Sequence, residues 1–137
     1  MKKIILIGGG GHCKSVIDVI EQEKKYKIYG IVDKPKFLSA KILGYKVIGS
    51  DLDFEYLAKK YKNAIITVGQ IKSPLVRIKL FNLASKAVFK FPPIISPRAY
   101  VSKYSRIGMG TIVLHNVVVN SNVSIGNNCI INTKSLI

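Results

Sequence analysis

Tryptophan is missing from this 137-residue chain, cysteine and histidine occur twice each, and all seven carboxylates lie at or before Glu55. Each shortage removes a class of protein. Cys13 and Cys129 are far apart, with neither C-x-x-C nor zinc-ligand spacing, which excludes a disulfide framework and a cysteine metal site and fits reduced thiols in a cytoplasmic protein. Long apolar runs are also lacking. The start "MKKIILIGGGG" breaks into glycine too soon for a signal h-region or a membrane span. From residue 56 onward twelve Lys and Arg face no Asp or Glu, so that stretch carries +12 of side-chain charge within a total of +15. Such a field favours anionic partners: nucleic acid, nucleotide-sugars, coenzyme A or an acidic membrane surface. Nucleic acid is set aside because no helix-turn-helix, zinc or RNP-like pattern accompanies the charge.

With 48% hydrophobic residues the chain can bury a real core. Its first half alternates two periodicities. "KIILIG" is a short β-branched strand, "KSVIDVIEQEKK" sets Val16, Ile17, Val19 and Ile20 on a helical stripe, and "YKIYGIVD" is a second strand. Beyond this βαβ unit come a strand in "GYKVIGS", a helix in "DFEYLAKKY" and a strand in "NAIITVG". A helix in "SPLVRIKLFNLASKA" follows, with Ser73 as N-cap and Pro74 at its first position. Strands alternating with helices predict a parallel α/β sheet with Rossmann-like winding.

Gly8, Gly9, Gly10 and Gly11 fall between the first strand and its helix, where small residues let backbone approach a phosphate and the helix amino end supplies unpaired N–H groups. Asp33, at the end of the second strand, is placed for a ribose hydroxyl. The dinucleotide fingerprint would need a third glycine at position 13, which is Cys13, so a standard NAD site is weakened. His12 lies in the same turn, either as a polar loop residue or at the phosphates or sugar of a ligand.

After residue 90 the period changes to six. Ile95, Val101, Ile107, Val113, Val119, Ile125, Ile131 and Ile137 recur without a gap, and mostly small residues stand two places before them, from Ala99 to Ser135. This is a hexapeptide repeat, in which each short strand forms one face of a parallel β-helix and turns its aliphatic inward. An antiparallel sheet, with its period of two, does not produce a strict period of six.

A glycine-loop α/β unit running straight into hexads resembles the NeuD/PglD-like sugar acyltransferases, the family of sialic acid O-acetyltransferases and nucleotide-sugar N-acetyltransferases. The stretches that carry the resemblance are "IILIGGGGHCKSVIDVI", "IYGIVDK", "TVGQIKSPLVRIKLF", "IISPRAYVS" and the hexads through "INTKSLI", nearly the whole chain. It implies a Rossmann-like nucleotide-sugar-binding domain over residues 1–90 and the start of an incomplete left-handed β-helix over residues 91–137. It further implies that Gly8, Gly10, Gly11 and His12 hold the nucleotide-sugar, with Asp33 and Lys34 toward the nucleoside and Gly69 on the same rim. In this family acetyl-CoA is the donor, lying along the β-helix between protomers of a homotrimer, and a sugar amine or hydroxyl attacks the thioester after losing a proton to a histidine supported by an acid. Cys13 departs from the family's usual glycine.

A base needs an imidazole within reach of the nucleophile and a carboxylate to orient it. His12 belongs to the loop, and His115, in "VLHNVV", has no carboxylate near it in sequence and reads as a surface corner. The resemblance places the catalytic Glu-His or Asp-His pair directly after a segment like "NTKSLI". The expected base then lies beyond Ile137, no catalytic residue or metal ligand is assigned within the chain, and Asn132 is the retained active-site neighbour. Most of the acetyl-CoA surface is expected to be missing as well. Three readings stay open: a sugar acetyltransferase of surface-glycan synthesis inactive in this form, a noncatalytic nucleotide-sugar binding or assembly module, and an NAD-dependent oxidoreductase.

Overall fold

The computed structural model describes residues 1–70 and 73–137; Ile71 and Lys72, part of the basic set and of "TVGQIKSPLVRIKLF", lie outside the described residues. The apolar first strand is β1 (Lys2–Ile7), followed by α1 (Gly11–Glu23) and β2 (Tyr26–Val32). A two-residue strand β3 (Lys41–Ile42) turns through Leu43 and Gly44 into β4 (Tyr45–Gly49), and α2 (Phe54–Tyr61), β5 (Ala64–Ile66) and α3 (Leu75–Lys86) complete the α/β part. The sheet order is β3-β4-β2-β1-β5, parallel except for the β3–β4 pair. Strand order therefore reverses beside β1, the position at which doubly wound sheets leave a crevice for ligands.

Two details differ from the sequence reading. The β3 hairpin adds an antiparallel edge to a sheet expected to be wholly parallel, because "AKILGYKV" carries a Gly44 with φ +87° that closes a tight turn. Helix α3 begins at Leu75, with Pro74 at the N-cap; the Ser73 hydroxyl still accepts the Leu75 N–H at 3.2 Å.

The hexads form seven two-residue strands: β6 (Ile94–Ile95), β7 (Tyr100–Val101), β8 (Arg106–Ile107), β9 (Ile112–Val113), β10 (Val118–Val119), β11 (Ser124–Ile125) and β12 (Ile130–Ile131). Strand β6 pairs with β9 and β9 with β12, β7 with β10, and β8 with β11, all parallel, so each coil stacks on the one before. The second residue of every strand points inward, and Ile95, Val101, Ile107, Val113, Val119, Ile125 and Ile131 share one apolar cluster with Ala99, Val117, Val123 and Cys129. Corners recur with the same period: Gly110, Asn116, Asn122, Asn128 and Lys134 all have positive φ, between 55° and 70°. Glycine and asparagine tolerate that left-handed geometry best, so four of the five corners hold a suited residue.

The first residues of β6 and β9 point outward, and Ile94 and Ile112 are nevertheless fully buried. They join Leu114 in one core cluster with Cys13, Val16, Ile17, Val19 and Ile20 of α1 and with Ile4, Leu6 and Ile31 of the sheet. Helix α1 is thus packed between the sheet and the β-helix. A second core on the other sheet face combines Ile5, Ile7 and Ile66 with Phe54, Leu57, Ala84, Phe89 and Phe91.

Polar groups seal the same seam. Ile94 and Ser96 donate their N–H groups to the next coil, while the Ile95 N–H, facing the other way, donates to the Glu23 carboxylate at the end of α1. Burial raises the pKa of Glu23. Asp18 of α1 lies 2.7 Å from His115 Nε2, and His115 Nδ1 lies 2.5 Å from the Ser96 hydroxyl. Among the described residues no helix is long and apolar enough to cross a membrane.

Because Ile112 is shared between the two parts, Ile112→Ala is expected to destabilise the chain by roughly 2–5 kcal/mol as one unit. Urea unfolding followed by far-UV circular dichroism and by tyrosine fluorescence should move to lower denaturant with coincident curves. An unchanged midpoint in the variant would show that the β-helix is not held through this contact.

Candidate functional site

A cleft of about 1330 Å³ opens at the carboxyl ends of β1, β2 and β5. Gly8, Gly9, Gly10, Gly11 and His12 line it from the turn after β1, Asp33 and Lys34 from the end of β2, and Thr67, Val68 and Gly69 from the segment after β5. Phe37, Lys41 and Ile42 form another wall, and Ile130 and Asn132 reach in from the β-helix. Every site residue expected from the sequence, Asn132 included, therefore lines this single cleft. The β3 wall was missed because "KPKFLSAKI" carries neither periodicity nor motif.

The glycine turn has distinct demands at successive positions. Gly8 has φ +121°, and a Cβ there would stand 2.5 Å from Val68 Cγ2 and 2.9 Å from the Val68 nitrogen. A Cβ on Gly9 would meet the Asp33 carboxylate at 2.7 Å, whereas Gly10 and Gly11 face open space. Gly8 O accepts from the buried Thr67 hydroxyl at 2.6 Å, which fixes the turn to β5. The amino end of α1 has Gly10 at the N-cap, no side-chain cap and no acid in its first turn, so its N–H groups and positive dipole end are directed to the cleft without competition.

Asp33, expected at the nucleoside, is first a builder of the turn. Its two oxygens accept the Gly9 N–H at 3.2 Å and the Lys34 N–H at 2.8 Å. Each carboxylate oxygen keeps capacity for a further donor. Cys13, where the dinucleotide fingerprint has glycine, is fully buried between α1 and the sheet. Burial pushes its thiol up to about 11, and the Asp33 charge adds to that against a hydrogen bond with Thr67, so Cys13 is a packing residue and no nucleophile.

His12 carries a buried Nε2 with no hydrogen-bond partner. Burial lowers its pKa below the usual 6.5, and the nearby Arg77 guanidinium lowers it further, so the imidazole is held neutral. Arg77, on α3, is only 1% exposed. Its Nη1 donates to the carbonyls of Ile66 at 2.7 Å and Val68 at 3.0 Å, and its Nε to that of Asn128 at 3.1 Å. Desolvation brings its pKa down to about 10. The signal for it in the sequence was a lone cation on the apolar stripe that continues through Leu80, Phe81 and Ala84.

His115 stands outside the cleft. It is no plain surface corner, since Asp18, 97 positions earlier, supplies the carboxylate that no neighbour in sequence could. The pairing with Asp18 and Ser96 has the composition of a catalytic triad, but Ser96 is only 1% exposed. The buried Ser96 hydroxyl is closed to a substrate, so the trio is a structural clamp between α1 and the β-helix. Among the described residues no group of three or more His, Cys, Asp and Glu could hold a metal ion.

Residues 3–83 match the family model of the PglD N-terminal domain, and residues 94–137 that of the bacterial transferase hexapeptide (six repeats). No curated protein sequence matches the chain. Among solved structures, PerB from Caulobacter crescentus in complex with CoA and GDP-perosamine superposes with a TM-score of 0.89 at 31% identity, over 100% of this chain and 63% of its own. The acetyltransferase domain of PglB from Neisseria gonorrhoeae, in complex with acetyl coenzyme A, gives 0.88 at 28% identity over 99% of this chain and 64% of its own. WeeI from Acinetobacter baumannii shares the fold at 22% identity and a TM-score of 0.82. The chain thus spans less than two thirds of the length of PerB and of the PglB domain.

Because His12 resists a proton that the unfolded chain accepts, its neutral form contributes stability that is fully present above pH 6.5 and is lost as pH falls through the folded pKa. Urea titrations at about pH 7.5 and about pH 5.5 should show the wild type losing more stability on acidification than His12→Gln. Equal losses would remove the buried neutral imidazole from the account. Gly8→Ala, which puts a Cβ into Val68 at positive φ, is expected to cost about 1–3 kcal/mol in the same titration; an unchanged midpoint would show that the turn yields freely.

Proposed function

Since the chain belongs to the PglD N-terminal domain family, the NeuD/PglD-like sugar acyltransferases, we propose that its cleft binds a nucleotide-sugar. It does so as part of a surface-glycan acetyltransferase acting on an amine or hydroxyl of that sugar. The observation that carries this reading is the joint lining of one cleft by the bare amino end of α1 and by Ile130 and Asn132 of the β-helix. A diphosphate on the Gly10–Gly11 side meets free N–H groups, with Lys34 and Lys41 on the same cleft to balance its charge. Asp33 is then placed to accept from a ribose hydroxyl, and the sugar extends toward Asn132.

Acetyl-CoA supplies the acyl group as a thioester. The residues described here bind and orient: Asn132 offers an amide donor and acceptor at the sugar end, and Gly69 leaves room beside His12. His12 and Asp33 both line the cleft, but no hydrogen bond joins them, so an imidazole oriented by a carboxylate is not provided among the described residues, which are expected to bind without transferring. Assembly as a homotrimer through the β-helix belongs to the same proposal. The NAD reading is disfavoured by the buried side chain of Cys13 at the packing position that the dinucleotide turn keeps for glycine.

Thermal denaturation in the presence of UDP-sugars, GDP-sugars, CMP-sialic acid, NAD and acetyl-CoA tests the proposal. A nucleotide-sugar at about one hundred times its Kd should stabilise the chain by about 2.7 kcal/mol. NAD should give no shift, and free CoA should not accumulate when acetyl-CoA and the stabilising sugar are supplied together. Stabilisation by NAD alone would reverse the assignment, and steady CoA release would show that the chain holds its own base.

A further inference from the structure

Arg77 is the largest of the fully buried side chains, and its hydrogen-bond partners are all backbone carbonyls. A buried guanidinium is an expensive way to fill a core, since an apolar side chain of similar size carries no desolvation penalty. Its three bonds reach two parts of the molecule. Ile66 and Val68 stand two residues apart at the end of β5, where the chain enters the cleft wall of Val68 and Gly69. Asn128 is a left-handed corner of the β-helix, two residues before Ile130 and four before Asn132.

We propose that Arg77 is a positioning residue: one planar guanidinium binds the carbonyls of Ile66, Val68 and Asn128 and so holds the nucleotide side and the sugar side of the cleft in a single register. The rigid fork matters here. Lysine would keep the cation but presents a single compact ammonium, which cannot span carbonyls on two different elements in the way that Nη1 and Nε of one guanidinium do. The same cation, close to His12, works with burial to keep that imidazole neutral. The role in ligand binding rests on the nucleotide-sugar reading; the register itself does not.

Two measurements on the 137-residue chain separate these levels. The first needs no ligand. In Arg77→Met, hydrogen exchange at the Thr67 amide, bonded to Ile7 O, and at the Ile112 amide, bonded to Cys129 O, should accelerate by a common factor. Exchange at the Val118 amide, bonded to Ser135 O on the β7–β10 face, which carries none of the guanidinium's partners, should stay within error of wild type. Uniform acceleration at all three, the mark of a merely structural side chain, would overturn the register, and so would no change at Thr67 and Ile112.

The second measurement is calorimetric binding to folded wild type, Arg77→Lys and Arg77→Met, with a UDP- or GDP-sugar and with the corresponding nucleoside diphosphate. Both variants should lose about tenfold in affinity for the nucleotide-sugar, which spans both sides, and less than about threefold for the diphosphate. Equal losses for the two ligands, or none, would overturn the positioning role. A wild type that binds neither ligand would instead defeat the functional reading, leaving the exchange result to decide the register. As an internal control, the NMR titration of His12 should move to higher pH in Arg77→Met and stay in Arg77→Lys, which separates loss of charge from loss of the fork.

Discussion

Helix α1 is buried from two sides, and that double contact makes one body out of two architectures. On an ordinary amphipathic helix one stripe is apolar and the rest is wetted. Here Cys13, Val16, Ile17, Val19 and Ile20 are all fully buried, because the sheet takes one part of the surface and Ile94, Ile112 and Leu114 of the β-helix take another. At roughly 25 cal/mol per Å² of apolar surface, the outward isoleucines of β6 and β9 contribute to joining the domains what most outward β-helix residues give up to solvent. The cleft inherits its shape from this contact, since its glycine turn opens α1 and its far rim, Ile130 and Asn132, belongs to the layer stacked on the one docked on that helix.

Electrostatics in the cleft turn on Arg77. The buried guanidinium is hydrogen-bonded to backbone carbonyls, and its field falls on His12. The result is a neutral imidazole beside a helix amino end, with the single nearby carboxylate, Asp33, engaged by backbone N–H groups. A site built this way offers hydrogen-bond donors and a positive helix end to an anionic ligand.

Much of this could be read from sequence where a period was long enough to exclude alternatives. Seven inward aliphatics from Ile95 to Ile131 occupy the positions that their six-residue spacing predicts, and the winding around Gly8–Gly11 follows from strand, turn and helix in order. The left-handed corners at Gly110, Asn116, Asn122 and Asn128 were equally periodic; their meaning lies in φ, which residue type suggests without stating it. Contacts without a local trace escaped. Asp18 and His115 are joined only through the docking of α1, and the lone cation Arg77 on the apolar stripe of its helix gives no sign in sequence of the carbonyls it meets. The β3 wall escaped because two residues are too few to show alternation.

The Glu23 carboxylate under the Ile95 N–H gives the coil stack a definite first layer. Repeat arrays that lack such a seat can nucleate anywhere. Here the first coil is bonded to the α/β part, and each later coil pairs in register with the one beneath it. Successive layers lie 18 residues apart, and the last of them carries Ile130 and Asn132, so the seat at Ile95 sets, through the stack, where the sugar-side rim of the cleft stands.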